Sequence, residues 1–105
     1  MQKLYDLAHC RAGDKGDTSI LSLVAYRAGD YSILVERVTA AAVAQHLRGI
    51  VNGQIRRYEL PQLSALQFVC EHSLSGGVTT SLALDAHGKS LSSALLEMEV
   101  PEPAA

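Results

Sequence analysis

Two short segments rich in apolar residues occur in the first quarter of the chain, and both are typical of β-strands. In residues 3–9 (KLYDLAH), Leu4, Asp6 and Ala8 alternate with Tyr5, Leu7 and His9, and the shortness of the segment favours a strand. Residues 18–26 (TSILSLVAY) are richer in β-branched and aromatic residues and lie between Gly-Asp and Ala-Gly-Asp sequences. This composition predicts a second, largely buried strand.

The clearest helical pattern begins after Thr39, a favourable N-cap residue. Val38 and Val43 flank that cap at the spacing of a hydrophobic staple, and the sequence AAAVAQHLR has high helix propensity. Gly49 is placed to end the helix. Val43, Leu47 and Ile50 give it one apolar stripe. We also expect a short helical turn over residues 30–35.

The next segments predict two strands and leave one element open. Residues 53–60 (GQIRRYEL) alternate so that Ile55, Arg57 and Glu59 share a face, and Pro61 ends this strand. Residues 63–74 (LSALQFVCEHSL) are nearly continuously apolar, which fits a buried strand or a short helix, and we favour the helix. Residues 78–86 (VTTSLALDA) predict a strand.

The last predicted element is a helix that Ser90 caps, running through LSSALLEMEV with Leu91, Leu95 and Met98 on one stripe. Residues 101–105 (PEPAA) predict a disordered tail, which leaves one domain over residues 1–100. The interspersed elements predict an α+β fold, a ferredoxin-like two-layer sandwich. It should contain about four mostly antiparallel strands with two to three helices on one face.

Composition and charge exclude several functional classes. The chain has 105 residues, 48% of them apolar, and a formal net charge of −2, which argues against nucleic-acid binding. No apolar run approaches the ~18 residues of a membrane span, so we expect a cytoplasmic protein. Cys10 and Cys70 lack metal-binding spacing, and we expect two free thiols, no metal and no cofactor. Positive neighbours favour a lower Cys10 pKa, although an incidental role is the simpler interpretation.

The most unusual stretch is residues 11–17 (RAGDKGD), in which Gly13 and Gly16 separate charged residues. Two such glycines permit a curved backbone that presents N–H groups to an anion. Arg11 and Lys15 would add charge-assisted hydrogen bonds to a carboxylate or phosphate. The stretch lacks the ending of a phosphate-binding Walker loop and the pattern of a calcium loop. A charged hairpin turn, an anion site and a metal site therefore all remain open.

Two later stretches offer further polar groups. Residues 72–81 (HSLSGGVTTS) contain the pair Gly76 and Gly77, and residues 84–90 (LDAHGKS) contain Asp85 and Lys89. Each also fits an ordinary loop or turn. The sequence contains no nucleophile motif, metal-binding His pair or carboxylate pair that requires catalysis, so the catalytic residues are unknown.

These motifs, in this order, resemble the small ferredoxin-fold domain of the acyclic terpene utilisation (AtuA-like) family. The resemblance covers about residues 4–100 and rests on RAGDKGD, on RYELP at residues 57–61, and on Gly-Gly followed by SLALDAHGKS at residues 81–90. The chain departs from the family at Ser19 and Gln67, where members often have Asn, and at Ser75, where they have a small residue or Gly.

The resemblance implies an accessory subunit that docks on a larger AtuA-like chain and contributes the RAGDKGD stretch to a shared site. Linkage to catabolism of terpenoid or branched acyl-CoA compounds is implied, with an acidic small molecule or CoA ester as ligand and a homo- or hetero-oligomer as the assembly. The alternative is a small acyl-CoA hydratase or isomerase using Asp14, Lys15 or Asp85 for acid–base catalysis. The ligand-binding residues that we expect are Arg11, Gly13, Asp14, Lys15, Gly16, Asp17, Gly76, Gly77, Asp85 and Lys89.

Overall fold

The computed structural model describes residues 2–15, 18–51, 53–71 and 91–100. Within these residues the strands and helices are interspersed, as the sequence predicts. In chain order they are β1 (Gln2–Lys3), β2 (Ala8–Lys15), β3 (Thr18–Ala25), α1 (Tyr31–Arg37), α2 (Ala40–His46), β4 (Ile55–Leu60), β5 (Ala65–Cys70), α3 (Leu91–Leu96) and β6 (Glu99–Val100).

Four of the strands form one antiparallel sheet in the order β2-β3-β5-β4, and β1 pairs with β6 in a small second sheet. The described helices cover one face of the main sheet: α1 packs on β3 and β5, α2 on β4, and α3 on β2. Between these layers lies a core that includes the fully buried Leu21, Leu23, Leu66 and Phe68. The predicted α+β, ferredoxin-like sandwich is confirmed.

The helix that we favoured over residues 63–74 is wrong. Ala65–Cys70 is the strand β5, paired with β3 on one side and β4 on the other. An interior strand is covered by neighbours along both edges, and its side chains are buried or half-buried on both faces. Its sequence therefore shows a continuous apolar run, which cannot be distinguished from a buried helix by periodicity.

Two predicted elements have different bounds. Residues 3–9 form no single strand, because Leu4–Asp6 is a 3₁₀ turn that buries Leu4 and the strand begins at Ala8. The predicted C-terminal helix ends at Leu96, and Glu99–Val100 pairs with β1. The physical reason is the same in both cases: the Leu4 N–H donates to the Met98 carbonyl oxygen at 2.8 Å, so long-range pairing replaces the local pattern.

The remaining described elements match the sequence. Thr39 caps α2 by accepting a hydrogen bond from the Ala42 N–H at 3.0 Å. Val38 and Val43, the predicted staple, are both fully buried. Gly49 has a φ of 87°, the left-handed conformation that glycine adopts most readily.

None of the helices in the described part of the chain is both long and apolar enough to cross a membrane. The predicted strand over 78–86 and the predicted tail over 101–105 lie outside the described residues.

Candidate functional site

Most of the RAGDKGD stretch is a strand, because Arg11 to Lys15 belong to β2. Strands β2 and β3 pair in register from Ala8 opposite Ala25 to Lys15 opposite Thr18. In this ladder Arg11 lies opposite Ser22. The first part of the motif therefore belongs to a paired strand, the outermost of the described sheet.

Gly13 has ordinary extended backbone, since the only described glycine with a positive φ is Gly49. A Cβ added at Gly13 would meet nothing within 4 Å. Neither backbone conformation nor tight packing therefore requires glycine at this position. The curved backbone that we considered for the anion site is not formed at Gly13. Because glycine has no side chain, there is open space at this position on the sheet.

The Arg11 side chain is exposed and makes no hydrogen bond or ion pair to any residue that the structure describes. Three other arginines on the sheet or helices do have acidic neighbours: Arg37, Arg56 and Arg57. An exposed guanidinium without an acidic partner keeps all its donors available for a carboxylate or phosphate.

The other predicted site residues are described only in part. Asp14 and Lys15 are placed by their backbone, opposite Ser19 and Thr18. Alternation along the strand puts positions 11, 13 and 15 on one face and position 14 on the other. Six predicted site residues lie outside the described ranges, namely Gly16, Asp17, Gly76, Gly77, Asp85 and Lys89. Their part in the site stays a prediction.

Strand pairing brings to Arg11 three polar residues that we did not predict as site residues. Ser22 on β3 is opposite Arg11, Gln67 on β5 is opposite Ser22, and Tyr58 on β4 is opposite Gln67. We call these four residues the polar row. Only the strand register reveals it, because the residues are scattered from position 11 to position 67. The sequence signals were the departure from the family at Gln67 and the place of Tyr58 in the RYELP motif.

Ser19, the other departure in the described residues, has a different environment. It lies opposite Asp14 on β3 and is buried at 2% exposure. It therefore belongs to the core side of the sheet, whereas Gln67 belongs to the opposite side. Of the two positions, only Gln67 lies on the same face as Arg11.

The Cys10 thiol is unsuited to nucleophilic chemistry. It packs against the core from β2, opposite Leu23. Burial, with a smaller contribution from Cys70, raises the pKa of Cys10 to about 12, and burial raises the pKa of Cys70 to about 11. The expected lowering of the Cys10 pKa by Arg11 and Lys15 is not found, and both thiols remain protonated at neutral pH.

The RYELP motif is largely explained by the fold. Arg57 donates to the carbonyl oxygens of Val35 at 2.9 Å and Val38 at 3.1 Å, where α1 ends. Its other terminal nitrogen lies 3.1 Å from a carboxylate oxygen of Glu59. Arg57 therefore holds α1 against β4 and is not available for a ligand. Tyr58, which lies between Arg57 and Glu59 in the sequence, is 47% exposed.

Other chemistry is sparse in the described residues. They contain no group of three or more His, Cys, Asp or Glu side chains placed to hold a metal ion. His46 bridges α2 to α3, with Nε2 2.8 Å from the Ala94 carbonyl oxygen. Since a carbonyl only accepts, Nε2 carries the proton. Three surface depressions, lined in part by His46, by Asp30 and by Leu63, lie away from Arg11.

Comparison with known families gives one match, to the AtuA ferredoxin-like domain over residues 2–101. No curated protein and no solved structure matches the chain.

Proposed function

The chain belongs to the AtuA ferredoxin-like domain family, and from that premise we propose that it is an accessory subunit of a larger AtuA-like protein. In this role it contributes the β2 edge of its sheet to a site shared with the larger chain. The ligand would be an acidic small molecule or CoA ester from the catabolism of terpenoid or branched acyl-CoA compounds.

The observation that carries this proposal is the exposed Arg11 on the paired strand β2, with no acidic partner among the described residues. It lies in the most charged motif of the sequence, beside the open space at Gly13. A cation in this setting favours an anionic guest. Because small-molecule sites are usually concave and Arg11 is exposed on the outermost of the described strands, we expect the larger chain to enclose the ligand.

The same proposal predicts how Lys15 behaves. Lys15→Ala should weaken binding of the larger chain or of coenzyme A, while the thermal unfolding midpoint changes little, because Lys15 in this role contacts the ligand and not the core of the subunit. Lys15→Arg is the matched control that retains the charge. If Lys15→Ala instead lowers stability and leaves binding intact, the motif is an ordinary structural hairpin.

Co-purification tests the subunit role directly. The chain is expressed with a larger AtuA-like chain from the same genome that lacks this domain, and the assembly is measured by size-exclusion chromatography with light scattering. We expect a stable hetero-oligomer, and no conversion of CoA esters by the small chain alone. Turnover by the isolated small chain would contradict the accessory role and support a small enzyme.

A further inference from the structure

We call the face of the main sheet that lies away from the described helices the open face. Its centre is the polar row of Arg11, Ser22, Gln67 and Tyr58. With neighbouring strands about 4.8 Å apart, the row crosses the sheet over about 14 Å. Apolar side chains flank it: Ile20 and Val69 on one side, Val24 and Leu60 on the other.

The polar row is unpartnered as a set. None of its four side chains makes a hydrogen bond or ion pair to a residue that the structure describes. Arg11 and Tyr58 are exposed, and Ser22 and Gln67 are half-buried. The polar row thus places four hydrogen-bonding groups side by side: a guanidinium, a hydroxyl, a carboxamide and a phenol. None of these groups uses its hydrogen-bonding capacity on another described residue.

The missing side chain of Gly13 leaves open space beside this row, which we call the Gly13 space. Gly13 lies opposite Ile20, next to Arg11 along β2, and a Cβ at this position would meet nothing within 4 Å. A larger residue would occupy this space beside Arg11 and Ile20. The Gly13 space therefore adjoins both the cationic end of the polar row and an apolar side chain.

Two arginines on the open face, Arg56 and Arg11, differ in whether an acidic side chain lies beside them. Arg56, beside Val69 on the neighbouring strand, lies 3.2 Å from a Glu71 carboxylate oxygen and is neutralised by it. Arg11 has no such acid among the described residues. An exposed cation without an acidic partner among the described residues, next to apolar side chains, matches a negative group carried on an apolar body. Single-stranded nucleic acid, which also binds open sheets, is disfavoured by the net charge of −2.

We propose that the open face binds an aliphatic carboxylate, with its acid group on Arg11 and its hydrocarbon part in the Gly13 space, against Ile20 and Val69. Ser22 and Gln67 hydrogen-bond the second carboxylate oxygen or a polar substituent, and Tyr58 bounds the far end of the row. This assignment rests on the proposed accessory role, in which the larger chain covers the bound molecule. The contacts themselves come from this chain, so weak binding is measurable without the partner.

The test is an NMR titration of the ¹⁵N-labelled full chain with octanoate. We expect amide shifts confined to β2, β3 and β5 around the polar row. Arg11→Gln should weaken octanoate binding about tenfold, because it removes a charge-assisted hydrogen-bonding pair. Arg48→Gln, which changes an exposed arginine after α2, is the matched control and should leave binding unchanged.

Gly13→Val separates ligand binding from folding. Valine suits an extended strand backbone and a Cβ at position 13 meets no atom within 4 Å, so the unfolding midpoint should stay the same or rise, while octanoate binding falls about tenfold. Octan-1-ol lacks the acid group, so its binding should not depend on Arg11. Inorganic phosphate lacks the hydrocarbon part, so its binding should not depend on Gly13.

Three results would overturn the assignment: no octanoate shifts on the open face, undiminished octanoate binding by the Gly13→Val variant, or tighter binding of a uridine oligonucleotide to the same amides. The proposed accessory role fails separately, if no larger AtuA-like chain co-purifies with this one. A hetero-oligomer that forms while octanoate leaves the open face unshifted would retain the accessory role and reject this ligand.

Discussion

Two adjacent arginines on β4 show how strongly position decides what a residue does. Arg57 points to the helical layer, is 19% exposed, and donates to two backbone carbonyls near the end of α1. Arg56 points to the other face and forms an exposed ion pair with Glu71. The sequence Arg-Arg gives no sign of this difference, which alternation along the strand creates.

Arg57→Ala should lower the free energy of unfolding by about 2 kcal/mol, because hydrogen bonds from a charged donor are lost and two partly buried carbonyls lose their partner. Arg56→Ala, the matched control, should change it by less than about 0.5 kcal/mol, as for an exposed ion pair. Urea unfolding followed by circular dichroism measures both variants. Equal losses would mean that Arg57 does not fasten α1 to the sheet.

At the scale of single elements, α2 is the best example of a helix specified locally. Its cap and staple lie within residues 38–43 and have the predicted roles, and Gly49 adopts the left-handed conformation in the turn that follows the helix end at His46. Strand β5 is the opposite case, because its apolar run acquires strand geometry only from the strands on either side of it. Local signals decide an element when its hydrogen bonds are local.

Thr39→Ala should cost about 1 kcal/mol of stability, since it removes the side-chain acceptor of the Ala42 N–H. Thr39→Ser keeps an acceptor and should retain most of the wild-type value. The urea midpoints of the two variants, compared at equal m-value, measure the difference. A loss of the same size in Thr39→Ser would point to packing of the threonine methyl group and not to the cap.

For the whole molecule, the pairing of β1 with β6 is the contact that spans the greatest length of chain. It joins Gln2 to Val100 and Lys3 to Glu99, and the Leu4 N–H donates to the Met98 carbonyl oxygen at 2.8 Å. Leu4 is fully buried beneath this pairing and packs into the same core as Leu95 and Met98. Residues from both ends of the described chain therefore contribute to one core.

We expect the Leu4 amide to exchange with solvent as slowly as central amides of β3, because opening it requires the common core to open. Native-state hydrogen exchange by NMR measures both rates in one sample, and the exposed amide of Gly29 serves as the unprotected reference. Fast exchange at Leu4 with slow exchange in β3 would show that the β1–β6 pair opens independently of the sheet.

The candidate site contains residues that the sequence identified and residues that only the strand pairing brings together. Arg11 and Gly13 were identifiable from composition, because glycines among charged residues are unusual between two strand patterns. Ser22, Gln67 and Tyr58 were not, since each looks like an ordinary strand residue and joins one row with Arg11 only through three strand pairings. The lower Cys10 pKa that its sequence neighbours favoured is not found, because burial raises the pKa of this thiol.

The sequence by itself determined the family, the α+β class, the helix after Thr39 and the unusual character of the Arg11 motif, because those depend on residues close together in the chain. The tertiary structure alone decided that residues 65–70 are a strand, that Leu4 joins Met98, that Arg57 is structural, and that a polar row crosses the sheet. The physical reason is that strand register and burial arise from contacts between distant segments, which no local pattern of residue types encodes.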